Sequence, residues 1–288
     1  MLRGTSIIPY ARKALRNCLD EKIQGCEAIA ALFLWRMNMK SPLIEVCVDS
    51  MESAREAVRG GADRLELCAN LIIGGTTPSP YLIKEAAKLG VPVNVLIRSR
   101  FGDFLFTEDE KKEQLEQIAQ LKQLGASGAV VGALLPDGLL DVEFLKECRA
   151  AAQGLHLTLH RAFDVCVDAQ AALEQAIAIG FDTILTSGQK ATATEGAQLI
   201  ARLTAQAGAR ITIMPGSGVN AANIAQLYEK TGAGAFHLSA KKTVESSMVF
   251  RREGVPMGLP MMSEFERFMT DGAAVAAAKK ALEDSVRK

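Results

Sequence analysis

The chain is 288 residues long, 49% hydrophobic and 23% charged with no long biased tract, which suits one large α/β domain or two smaller ones. Lys+Arg and Asp+Glu both number 33, leaving no net field to draw in nucleic acid or an anionic membrane, and no run of about 18 apolar residues offers a membrane span. Six cysteines are too sparse for a disulfide scaffold and form no CxxC pair, so reduced thiols in the cytoplasm are the simplest reading.

Residues 1–42 read as an N-terminal extension outside the main domain. Arg3, Arg12, Lys13 and Arg16 loosely suggest a transit peptide, but Asp20, Glu21 and Glu27 soon dilute that signal. From residue 43 to 288 short β-type runs alternate with longer helical ones. The expected strands are Leu43–Val48, Arg64–Cys68, Pro92–Arg98, Gly128–Gly132, Leu155–His160, Thr183–Thr186, Arg210–Met214 and Ala235–Ser239. Between them the spacing predicts helices that include Met51–Arg59, Thr107–Leu124, Asp141–Ala152, Asp168–Ile179, Thr192–Gln206 and Asn220–Glu229, and a tail helix from Pro260 to Arg287. Thr107 with Glu110, and Asp168, mark helix starts. Eight strands in βα alternation fit a single (β/α)8 TIM-type barrel. The rival open doubly wound sheet lacks a G-x-G-x-x-G after its first strand.

Strand parity favours the barrel. Residues i and i+2 of a strand share a face. Ile44, Val46, Val48, Leu65, Leu67, Val93, Val95 and Ile97 then face helices, while Glu45, Cys47, Glu66, Cys68, Asn94 and Arg98 face inward. His156, His160 and His237, the only three histidines, fall on that inner face with Ser239. An open sheet would be apolar on both faces, whereas a barrel gathers polar groups at its C-terminal mouth.

The unit Glu-x-Cys occurs at Glu45-Val46-Cys47 and again 21 residues later at Glu66-Leu67-Cys68. Two thiolates in matching positions on adjacent strands suit a soft monovalent metal such as Cu(I). The bland alternative is that Cys47 and Cys68 are small core residues and the two glutamates members of buried ion pairs with Arg98 or Arg161. Arg98 and Arg100, at i and i+2 after the third strand, have the geometry to fork onto a carboxylate or phosphate, or else to pair with Glu66 and Asp103. His160, with Asp164 as orienting partner, suits a general base or ligand. The Gly- and Ser-rich turns carrying Ser217 and Ser239 free backbone N–H groups for an anion.

Several strings together resemble the copper homeostasis protein CutC family. They are Glu45-Val46-Cys47-Val48-Asp49-Ser50, Gly61-Ala62-Asp63-Arg64-Leu65-Glu66-Leu67-Cys68 and Gly74-Gly75-Thr76-Thr77-Pro78-Ser79, followed by Gly102-Asp103-Phe104, His160-Arg161-Ala162-Phe163-Asp164, Leu185-Thr186-Ser187-Gly188 and Met214-Pro215-Gly216. Ser99, Ser217 and the apolar Leu71-Ile72-Ile73 depart from the pattern. The resemblance implies a cytoplasmic TIM-barrel protein, a homo-oligomer such as a dimer or tetramer, linked to copper handling, with Cys47 and Cys68 as Cu(I) ligands. A second reading is an enzyme on a small anionic or phosphorylated metabolite. In it Arg98, Arg100, Ser217 and Ser239 hold the anion, and Glu45, Glu66, His160 and Asp164 are the candidates for proton transfer. A pure interaction module is a third reading, which leaves the inward charges unexplained.

Overall fold

The computed structural model describes residues 42–252, 254, 255, 257, 258 and 263–287. The expected extension therefore lies outside the described residues, apart from Pro42. Eight parallel strands form one sheet: β1 (Leu43–Val48), β2 (Arg64–Leu67), β3 (Val93–Leu96), β4 (Gly128–Val131), β5 (His156–Leu159), β6 (Thr183–Thr186), β7 (Thr212–Pro215) and β8 (Ala235–Leu238). Neighbours in sequence are neighbours in space, and β8 pairs back onto β1, with Glu45 opposite His237 and Cys47 opposite Glu66 across the two ladders of β1. β7 contacts β8 at the remaining seam, which nearly closes a (β/α)8 barrel.

Helices follow each strand: α1 (Met51–Arg59), α2 (Pro80–Ala86), α3 (Glu108–Leu121), α4 (Val142–Ala151), α5 (Ala169–Ile179), α6 (Ala197–Ala207), α7 (Ile224–Thr231) and α8 (Gly272–Val286). Their starts are set chemically. Ser50 accepts from the Ser53 N–H, Thr107 and Glu110 form a reciprocal capping box, and Asp168 accepts from Gln170 and Ala171. Each such cap is worth about 1 kcal/mol.

The core is the layer between strands and helices. Ile44, Val46, Leu65, Leu67, Val95, Ile97, Leu157, Leu159, Ile213 and Phe236 belong to one continuous buried cluster with Ala54, Ala57, Leu145, Leu173 and Ile200 from the helices. Each large side chain so buried contributes about 1.5–3 kcal/mol. Inside the barrel the apolar groups form two small patches instead: Cys68 with Leu96 and Val130, and Leu185 with Met214 and Ala235. Polar residues share that interior. Glu45, Arg64, Asn94 and Thr158 are all buried there.

Three expected elements differ. The helix expected from Thr192 starts at Ala197, because the chain from Ser187 folds back on itself and a Cβ at Gly196 would stand 1.9 Å from the Ser187 carbonyl oxygen. The helix expected from Asn220 starts at Ile224. Asn220 and Asn223 exchange side-chain and backbone bonds in a turn that competes with helix. The tail contains an unexpected strand pair, β9 (Lys241–Glu245) against β10 (Glu266–Thr270), antiparallel, before α8 begins at Gly272. No helix among the described residues is long and apolar enough to cross a membrane.

Candidate metal centre

β1, β2 and β8 are adjacent, so their inward residues converge at one side of the barrel. Cys47 from β1, Glu66 from β2 and His237 from β8 each offer a ligand atom, and these atoms lie within 4.8 Å of one another. His237 Nε2 and Glu66 Oε2 are 3.7 Å apart. A metal with bonds of about 2.0–2.3 Å at trigonal angles needs donors spaced by about 3.5–4 Å, so this pair is already at coordinating distance.

Glu45 sets the orientation of His237. Its Oε1 lies 2.9 Å from His237 Nδ1, and because a carboxylate only accepts, Nδ1 carries the proton. Nε2 then faces Glu66 and Cys47, where a metal would displace its proton, with Glu45 giving the carboxylate–imidazole support usual behind a metal-bound histidine. Beneath it the Arg64 guanidinium donates to Glu45 Oε2 and approaches Met214 Sδ at 3.5 Å. Burial pushes the Glu45 carboxyl up, but the Arg64 charge and the His237 bond outweigh it and hold it at about 2. Glu66 behaves oppositely. Burial raises its pKa, with His237 opposing and Glu45 reinforcing the rise. Burial works against a charged His237, yet Cys47, Glu66 and Glu45 together hold its pKa well above the ordinary imidazole value.

Cys68 sits beside this cluster rather than within it. Its sulfur is 3.6 Å from Glu66 Oε2, and burial reinforced by Glu66 drives its pKa well up, so without a cation it is a neutral thiol. Cys47 is the more accessible of the two, at 9% against 0% exposure, with its thiol 3.8 Å from the Leu238 carbonyl. Sequence reasoning paired the two thiols. The fold instead groups Cys47 with a carboxylate and an imidazole and leaves Cys68 adjacent.

Of the other expected site residues, His160, Asp164, Arg98 and Arg100 are engaged elsewhere, while Ser217 and Ser239 line a cavity that Cys47 and His237 also border. His160 is buried, its Nδ1 accepting from the Ala162 N–H while Nε2 has no partner among the described residues. Burial, helped by the Arg98 charge, lowers its pKa to about 3. Its ring packs 4.9 Å from Phe104, and a Cβ at Gly132 would stand 2.5 Å from it, so only glycine admits the imidazole there. Asp164 does not orient it. That carboxylate accepts from Arg161 Nε, Thr186 Oγ1, Gln189 N and both the N–H and hydroxyl of Ser187, tying the loop after β6 to the one after β5. Arg98 donates to the carbonyls of Gly74, Gly75 and Gly102, and Arg100 to Asp103, Glu110 and the carbonyls of residues 101, 103 and 105. Neither arginine meets Glu45, whose expected partner among Arg98 and Arg161 is replaced by Arg64. Arg64 shares the parity of Glu66 and Cys68, so the signal for it was present in the sequence. Ser217 donates to the Ala191 carbonyl, and Ser239 lines the cavity beside Cys47.

In this (β/α)8 barrel β1, β2 and β8 present a thiol, a carboxylate and an imidazole beside a second thiol, donor types that suit a soft metal ion. The chain belongs to the CutC family, whose model matches residues 42–242. It is 48% identical over 238 residues to a CutC family protein of Parabacteroides distasonis, covering 82% of this chain and 98% of the relative. It is 46% identical over 231 residues to the human copper homeostasis protein cutC homolog, covering 80% and 85%. Among solved structures, a copper homeostasis protein CutC from Streptococcus agalactiae superposes with a TM-score of 0.65 at 34% identity, covering 68% of this chain and 97% of that one.

Proposed function

We propose that this protein serves copper homeostasis by binding Cu(I) at the inner rim of the barrel, through the thiolates of Cys47 and Cys68 with His237 Nε2 completing the site. The observation that carries this reading is the convergence of Cys47, Glu66 and His237 within 4.8 Å, with Glu45 fixing the imidazole from behind. Thiolate and imidazole are ligands that Cu(I) prefers, and the relatives named for copper homeostasis point to the same ion. Entry of a cation reverses the electrostatics that keep Cys68 protonated and lets Glu66 act as its proton acceptor at 3.6 Å. Thiol ligation of this kind suits a reducing compartment, and we place the protein in the cytoplasm. The exposed apolar side chains of Met248, Val249 and Phe250 support a homo-oligomer, a dimer or tetramer.

A competition titration against a chromophoric Cu(I) chelator tests the assignment. The parent is expected to bind one ion per chain, Cys47→Ser to lose it, and Cys68→Ser and His237→Ala each to bind at least about tenfold more weakly. Parent-like affinity in Cys47→Ser would refute it.

A further inference from the structure

We propose that the barrel mouth beside Cys47 takes a small amphiphilic anion, with a phosphate-type head group between Lys241 and Arg161 and an apolar body against Leu71 and Phe268. Two cavities meet there. One of about 460 Å³ lies between the loops after β7 and β8 and is lined by Arg161, Ser217, Asn220, His237 and Lys241 among others. The second, about 260 Å³, is bordered by Leu71, Ile72, Phe268 and Asp49. Cys47, Ser239 and Lys241 line both. A bare ion needs roughly a water's share of space, about 30 Å³. The larger cavity falls instead in the range of sites for small organic molecules, about 300–1,000 Å³.

The two lobes differ in their charged groups: Arg161 and Lys241 line the larger, whereas the smaller sets Lys241 beside the Asp49 carboxylate, Leu71 and Phe268. Lys241 Nζ has no acid partner among the described residues and stands 4.5 Å over the Phe268 ring, so the same side chain joins the two lobes. Arg161 commits Nε to Asp164 and Nη2 to the Ser187 hydroxyl, which leaves Nη1 without a partner among the described residues. Its side chain remains 43% exposed. The Ser239 hydroxyl is likewise uncommitted among the described residues. By contrast the terminal nitrogens of Arg98 and all the side-chain nitrogens of Arg100 bond loop carbonyls and acids, and Arg98 Nε is buried, so the cations with an accessible uncommitted donor are Lys241 and Arg161. The loops after the seventh and eighth strands are where barrels bind phosphate, because backbone N–H groups gather there. Asp49 borders only the smaller lobe, where its carboxylate repels an anionic head and already accepts the Leu71 N–H at 3.3 Å, which sets the ligand's polarity: head toward Arg161, body toward Leu71.

This inference rests on the cavities and uncommitted cations and does not require copper at the cluster. The test therefore uses metal-stripped full-length protein, with phenyl phosphate, inorganic phosphate and phenol as probes at constant ionic strength in calorimetric titrations. Phenyl phosphate is expected to bind saturably and at least about tenfold more tightly than either fragment, since it fills both lobes. Lys241→Ala is expected to weaken it at least about tenfold, and Lys241→Glu to abolish it. Lys241 is exposed, so both variants should fold, and an unchanged thermal midpoint verifies that. No saturable binding by 10 mM, equal binding of phenol and phenyl phosphate, or unchanged affinity in Lys241→Glu would overturn the proposal, and a failure of copper binding alone would leave it standing.

Discussion

His237 Nδ1 meets Glu45 Oε1 at 2.9 Å while its Nε2 faces Glu66 Oε2 at 3.7 Å, so one imidazole bridges a fixed carboxylate and a potential ligand. Glu45 is itself held by Arg64, and the three residues come from β1, β2 and β8. Orientation of the ligand nitrogen therefore depends on a buried charge pair one layer beneath it.

Glu45→Gln tests that dependence. The amide preserves shape but leaves Arg64 buried without a counter-charge, a loss of about 3–5 kcal/mol that urea unfolding would show. Cu(I) affinity is expected to fall about 10- to 100-fold, as for the loss of other partners behind metal-bound histidines. The double change Glu45→Gln with Arg64→Met should recover much of the stability and none of the affinity.

Acid sensitivity follows from His160. Its folded pKa of about 3 lies below the ordinary imidazole value of 6.5, so between those values the unfolded chain binds more protons than the folded one. Stability from this group is complete above about pH 6.5 and is lost as the pH falls toward 3, on the order of 4 kcal/mol in all. Glu45, depressed to about 2 from 4.5, adds a loss of the same sign below pH 4.5. His160→Asn should flatten the pH dependence of urea unfolding between pH 7 and 4.5 by about 2–3 kcal/mol. An unchanged slope would show that His160 is not held neutral.

Gly132→Ala is expected to destabilise by about 1–3 kcal/mol, because its Cβ would overlap the His160 ring. Gly234→Ala is the matched control. A Cβ there meets nothing within 4 Å and its φ is not positive, so reduced freedom of the unfolded chain should make it neutral or stabilising by up to about 1 kcal/mol. Thermal midpoints of the two variants should move in opposite directions.

Arg98 joins the loop after β2 to its own loop after β3 through the carbonyls of Gly74, Gly75 and Gly102, with its guanidinium 4.9 Å over Phe104. Arg98→Ala should cost about 2–3 kcal/mol, the range for hydrogen bonds from a charged donor. It should also raise hydrogen exchange in residues 74–77 and 102–104. Arg98→Lys should recover only part, since an ammonium cannot span three carbonyls with a planar fork.

The barrel was legible because its strands obey a period of two. Glu45, Glu66, Cys47 and His237 were placed on one face by parity, and the ladders of β1 bring them together. Parity says nothing of depth along the strand, so it did not show that Glu66 and His237 join Cys47 in one cluster with Cys68 beside it. The roles of Asp164 and Arg98 were hidden for another reason. Arg98 bonds loop carbonyls, and Asp164 bonds side chains and N–H groups around the loop after β6, which only the folded path of those loops brings close. β9 and β10 went unread because their side chains are almost all solvent-exposed, so no apolar alternation marks them. Lys241, whose importance depends on what surrounds its tip, was invisible for the same reason.

Glu45 and His237 are 192 positions apart, at opposite ends of the barrel's chain path. During synthesis the strands carrying Glu45, Cys47 and Glu66 are made long before the eighth barrel strand emerges from the ribosome. A chain that stops short of residue 237 therefore lacks the imidazole altogether, and on the proposed reading ion capture would report that β8 has docked against β1.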